Sequence, residues 1–108
     1  NLPLNEDIKI YRGVFVNKGE EIELDEQRIG ISWSLDKDKG EWFGNRFQSE
    51  KRTGYLLETK IDRRFIMFYL NDMNEHEVIL DPHFIEEKVK VTNLKTNEVS
   101  MVDIGKDY

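Results

Sequence analysis

Apolar and polar residues alternate over "IKIYRGVFV" (8–16), the period of two expected of a half-buried strand. The next stretch, "NKGEEIELDEQRIG", is polar with glycines near both ends and predicts a loop with a short extended piece at 21–24. "ISWSL" (31–35) predicts a second strand. The period then changes. Trp42, Phe43 and Phe47 recur at helical spacing behind Asp36, a natural cap, and predict a helix over 37–49 that packs these aromatics inward. Gly40 and Gly44 lower its propensity by up to about 1 kcal/mol each relative to Ala. Beyond Gly54 the pattern is almost all strand: "YLLETKI" (55–61), "FIMFYL" (65–70), "EVIL" (77–80), "FIEEKVKVTNL" (84–94) and "EVSMVDI" (98–104). The last two are joined by "KTN", a hairpin loop. These elements predict an α+β domain rich in β structure, built as two small packed, mostly antiparallel sheets with one clear helix.

With 108 residues the chain fits one domain, 1–108, able to bury roughly 60–70% of its unfolded surface without staples. An apolar content of 38% supports a packed core rather than disorder. There is no cysteine, which removes disulfides and thiolate metal sites. Sixteen basic against 22 acidic residues give a net charge of −6, which argues against non-specific binding to nucleic acid or an anionic membrane. "NLPLNEDIKI" lacks a basic-then-apolar leader pattern, and no apolar run is long enough to span a membrane. The expected location is the cytoplasm, of the producing cell or of a target cell, or outside the cell as a secreted effector.

Four short stretches contain side chains that could do chemistry. In "YRG", Arg12 is either an arginine on a strand face or a guanidinium fork for phosphate or carboxylate, with Gly13 admitting a ligand to the backbone. In "SWS", Ser32 and Ser34 share a strand face and Trp33 takes the other; the serines are either solvated hydroxyls or groups that orient a ligand or a carboxylate. In "WFGNRF" the aromatics fit a core, with Phe47 the candidate stacking surface for a flat ring. In "MNEHEVILDP", Glu75 and Glu77 stand two apart, on one face of an extended chain, despite their repulsion. They are either two solvated acids at a strand end or a pair that a site uses. His76 and His83 read as polar or structural, and no metal is expected.

In that order, an Arg on an early strand, Ser-x-Ser before a helix, and Glu-x-Glu opening an apolar strand resemble the Arg–Ser–Glu class of mono-ADP-ribosyltransferases. That group includes arginine-modifying bacterial toxins and vertebrate ecto-enzymes. "EHEVILDP" is the most specific piece, and the resemblance spans residues 11 to 82. The middle residue of Ser-x-Ser is Trp33 here, where many members have a small residue. The resemblance implies NAD as substrate, bound in a cleft between two sheets, with ADP-ribose passed to a protein side chain, arginine above all. It implies a toxin-like protein of bacterial or phage origin acting on an unidentified target protein. It further implies Glu77 as catalytic acid, Glu75 as the group that aligns the nucleophile, and Arg12 as the grip on the NAD phosphates. Ser32 would touch the ribose or orient Glu77, Ser34 would back it, and Gly13, Trp33 and Phe47 would line the pocket. Two alternatives use the same residues: an NAD glycohydrolase with water as acceptor, and a non-catalytic interaction module that retains the fold.

Overall fold

The computed structural model describes residues 7–24, 29–46, 48–70, 76–85 and 88–104. Among the described residues, seven strands and the helix α1 follow one another: β1 (Asp7–Asn17), β2 (Ser32–Ser34), α1 (Lys37–Arg46), β3 (Arg52–Asp62), β4 (Ile66–Leu70), β5 (Glu77–Leu80), β6 (Lys88–Asn93) and β7 (Val99–Asp103). The domain is α+β and rich in β structure. The described strands make one seven-stranded sheet in the order β4-β5-β2-β1-β3-β6-β7, with every pairing antiparallel. The two packed sheets expected from the short strands are therefore replaced by a single sheet. Its weak point is the middle. β1 and β3 pair along their full length, from Asp7 opposite Asp62 to Asn17 opposite Arg52, whereas β1 meets β2 only at Tyr11 opposite Ser34.

One face of the sheet bears the core. Ile10, Val14, Trp33, Leu57, Ile61, Val78, Leu80, Val89 and Val91 are buried in a single cluster, closed by Leu24, Ile29, Ile85 and Ile104 from the connections. Leu24 joins this core from an irregular segment without regular secondary structure, in line with the loop expected there. Strand alternation places Ile8, Ile10, Val14 and Val16 inward, as the sequence pattern requires.

The opposite face takes α1, and there the sequence expectation fails. Trp42 is 55% exposed, Phe43 is half-buried, and the residues that the helix buries are Gly40 and Gly44. Phe47 lies outside the described residues. The reason is distance. A Cβ on Gly13 would collide with backbone atoms of Gly44 and Gly40, and one on Gly54 with the Gly44 carbonyl. Glycines on both partners let the helix backbone lie directly on the β1–β3 backbone, so its aromatics are turned aside. Trp42 and Phe43 pack edge to face at 5.0 Å, with the Arg46 guanidinium 5.4 Å from the Trp42 ring.

The helix starts as its sequence specifies: the Asp38 amide donates to Asp36 Oδ1 at 2.9 Å, and the Gly40 amide to the Asp36 carbonyl at 3.2 Å. We expect Asp36→Ala to cost about 1 kcal/mol, a fall of about 4–8 °C in Tm for a domain this small. Thermal unfolding by circular dichroism measures it. An unchanged midpoint would mean that the cap contributes nothing. At the other end of the chain, the β6–β7 hairpin is closed by Asn93, whose Oδ1 accepts from the Lys95 and Thr96 amides at 2.9 and 3.1 Å.

Candidate functional site

A cavity of about 330 Å³ opens where the sheet is narrowest, between the N-terminal half of α1 and the β1–β2–β5 junction. Arg12, Gly13, Ser32, Trp33, Ser34 and Glu77 all line it, from three strands that are distant in sequence. The register explains the convergence. Tyr11 stands opposite Ser34, and Ser34 opposite Glu77, so these three side chains form one cross-strand row on the helix-bearing face.

Glu77 is held by Ser32, whose hydroxyl donates to Glu77 Oε2. Ser32 stands opposite Ile79, two residues along from Glu77, so this bond runs diagonally between adjacent strands on the same face. Ser34 is engaged elsewhere. Its Oγ accepts from the Asp36 amide at 3.0 Å and closes the turn from β2 into α1.

Arg12 reaches the site from the other face. It occupies an inward position of β1, between the buried Ile10 and Val14. Past the single Tyr11–Ser34 pair, a continued ladder would set Gly13 opposite Ser32. Instead Arg12 Nη1 donates to the Ser32 carbonyl at 2.7 Å. The guanidinium lies under Gly30, where a Cβ would stand 2.7 Å from Nη2, and the φ of +61° there is itself a glycine conformation. Burial pushes the Arg12 guanidinium below its ordinary pKa, yet an arginine remains a cation at neutral pH. Ser32 thus joins both charges, its backbone to the cation and its hydroxyl to the anion.

The remaining expectations divide. Gly13 lines the cavity, and the backbone its missing side chain admits is that of α1. Trp33 borders the cavity while its side chain is 2% exposed and belongs to the core. Glu75 and Phe47 lie outside the described residues. His76, the residue before β5, has φ +49°, a left-handed conformation. Strand alternation therefore starts at Glu77. Such a conformation costs a non-glycine residue about 1–3 kcal/mol. His76 is held there by its carbonyl, which accepts from the Leu35 amide at 2.9 Å, and by a 2.8 Å hydrogen bond between Nδ1 and the Tyr69 hydroxyl. His83 is bound to Asp81 at 2.9 Å. Among the described residues, no three His, Cys, Asp or Glu side chains assemble to hold a metal ion.

Sequence reasoning missed four residues that line the cavity: Tyr11, Lys39, Gly40 and Phe43. Burial, and then the charge of Glu58, raise the Tyr11 phenol above its ordinary pKa, so it stays a hydroxyl donor. Lys39 and Phe43 were legible in principle. They stand one residue before Gly40 and Gly44, so they form the helical stripe adjoining the glycine stripe that meets the sheet. Once the glycines are seen as the packing face, the neighbouring stripe must flank the cavity.

A scan against protein-family models finds no match, and searches of curated proteins and of solved structures find none either. Among the described residues, no helix is long and apolar enough to cross a membrane.

Proposed function

We propose that the chain is a mono-ADP-ribosyltransferase that cleaves NAD and passes ADP-ribose to a protein side chain, arginine above all. The observation that carries this reading is the Ser32 hydroxyl bound to the Glu77 carboxylate, with Arg12 anchored on the carbonyl of the same serine. Breaking the nicotinamide–ribose bond builds oxocarbenium character on the sugar, as in glycoside hydrolysis. A carboxylate stabilises that charge only if it is held in place before the charge develops. Ser32 supplies that preorganisation. Its hydrogen bond uses one oxygen, leaving Oε1 of Glu77 to face the ribose. The Arg12 guanidinium, a planar fork of N–H donors, would grip the pyrophosphate. Phe43 offers a half-buried ring for the nicotinamide. A cavity of about 330 Å³ is at the small end for a ligand site. It suits the nicotinamide–ribose end of NAD, with the adenosine lying outside.

Incubation with NAD labelled in the adenylate tests the reading, scoring nicotinamide release and label on protein separately. Both together support transfer, nicotinamide alone means a glycohydrolase, and neither means that the chain does not turn NAD over. Arg12→Ala should weaken NAD binding by about 1.5–3 kcal/mol, the contribution of a charge-assisted contact. Arg12→Lys should recover only part of this, because an ammonium lacks the fork. Calorimetry with NAD decides it, and equal affinity in all three proteins would remove Arg12 from the site.

A further inference from the structure

We propose that the outer edge of β4 is the docking surface for the acceptor protein. The acceptor would bind as an extended basic segment that adds a strand to the sheet and so delivers its side chain to Glu77. This rests on the transferase reading for the chemistry, but the docking stands on the edge itself.

Among the described residues β4 has one neighbour, β5, and its other side carries no strand. Met67, Phe68, Tyr69 and Leu70 are 60, 61, 41 and 41% exposed, and no charge interrupts Ile66–Leu70. Folds usually blunt such an edge with lysine, proline or a very short strand. β4 has one blunting device, a bulge-like register shift between Ile66 and Phe68, and beyond it 68–70 is a regular, open stretch.

The register points this edge at the site. Leu70 stands opposite Glu77, and Glu77 opposite Ser34, so Leu70 begins the row that ends in the cavity. Phe68, opposite Ile79, is on the same face. A strand added outside β4 would extend that row by one position. The residue it sets opposite Leu70 would project from Glu77's face, about 10 Å from β5 at ordinary strand spacing. A long side chain such as arginine can cross that gap over Leu70, whereas a short one cannot. The other exposed edge, β7 with Val99 and Met101, is separated from β5 by β2, β1, β3 and β6. Charge selects the partner: a net charge of −6 and a carboxylate at the end of the row favour a basic segment.

The test uses a synthetic peptide of alternating valine and threonine around one arginine, and the same peptide N-methylated at alternate residues to block strand addition. Binding is read by fluorescence anisotropy, and its location by amide hydrogen exchange of the protein. The unmodified peptide should bind and slow exchange along 68–70, and N-methylation should abolish both effects. Phe68→Lys, at a position exposed enough to tolerate it, should weaken binding at least about tenfold while NAD hydrolysis in water is unchanged. Equal binding of the two peptides, or protection elsewhere, overturns the proposal. So does protection of β4 that grows with protein concentration in the absence of peptide, which would make a second copy of the chain the occupant. Peptide docking on β4 without nicotinamide release would uphold the surface and sink the transferase reading. NAD-dependent labelling with the peptide bound elsewhere would do the reverse.

Discussion

Glu77→Gln should leave NAD affinity within about twofold while nicotinamide release falls by about 10²- to 10³-fold, or roughly 3–4 kcal/mol of transition-state stabilisation. The two effects separate because the carboxylate faces charge that does not exist in bound NAD. A glutamine of the same size can still accept from the Ser32 hydroxyl, so that hydrogen bond survives and folding is spared. Ser32→Ala should cost less, about tenfold, by releasing Glu77 from its fixed direction. Adding it to Glu77→Gln should cost little more, because Ser32 acts through the carboxylate. Full additivity in that double-mutant cycle would assign Ser32 to the ribose instead. Glu75→Gln should abolish transfer to protein while sparing much of the water reaction, since its proposed role concerns the acceptor alone. If folded variants lost both activities in parallel, the two acids would be acting as one unit. Single-turnover nicotinamide release, with NAD binding measured by calorimetry, resolves these outcomes.

The strands were legible wherever period-two alternation met β-branched residues. "EVIL" is β5 to the residue, and the alternation of "IKIYRGVFV" orients β1 correctly. Pairing was not legible, because whether short strands form one sheet or two depends on a junction as small as one residue pair, Tyr11 with Ser34. The candidate site was legible only as residue types and order that the fold brings to one cavity, which Arg12, Ser32 and Glu77 line. How they meet was hidden by two backbone facts. Arg12 leaves β1 on the core face and reaches Ser32 only because the ladder stops beside it. His76 turns left-handed, which no neighbouring residue announces. The helix misled for a different reason. Periodicity ranks residues by hydrophobicity, so Trp42 and Phe43 outvoted glycines whose contribution is the absence of a side chain.

That absence carries the largest expected effect on folding. Gly13→Ala should destabilise the domain by about 3 kcal/mol, the upper end for an overpacked interior, and lower Tm by on the order of 15 °C. The added methyl would stand 2.8 Å from the Phe43 carbonyl carbon and closer still to Gly44 N and Gly40 O. All three are backbone atoms of a helix, so no rotamer change relieves the clash. The helix must lift from the sheet or slide along it. Lifting would also strip contact from Gly54, whose own missing side chain admits the Gly44 carbonyl. Gly19→Ala is the matched comparison: its φ is +88° but nothing lies within 4 Å of a Cβ there. It should therefore cost only backbone strain, about 1 kcal/mol. Urea unfolding of the two variants, with unchanged m-values, isolates the clash. A second consequence ties this packing to the cavity. Lys39 and Phe43 line it from α1, so a displaced helix should weaken NAD binding in whatever Gly13→Ala remains folded, whereas Gly19→Ala should bind as the parent does. Equal stability of the two variants would mean that the helix backbone does not rest on Gly13, and that the cavity wall is built some other way.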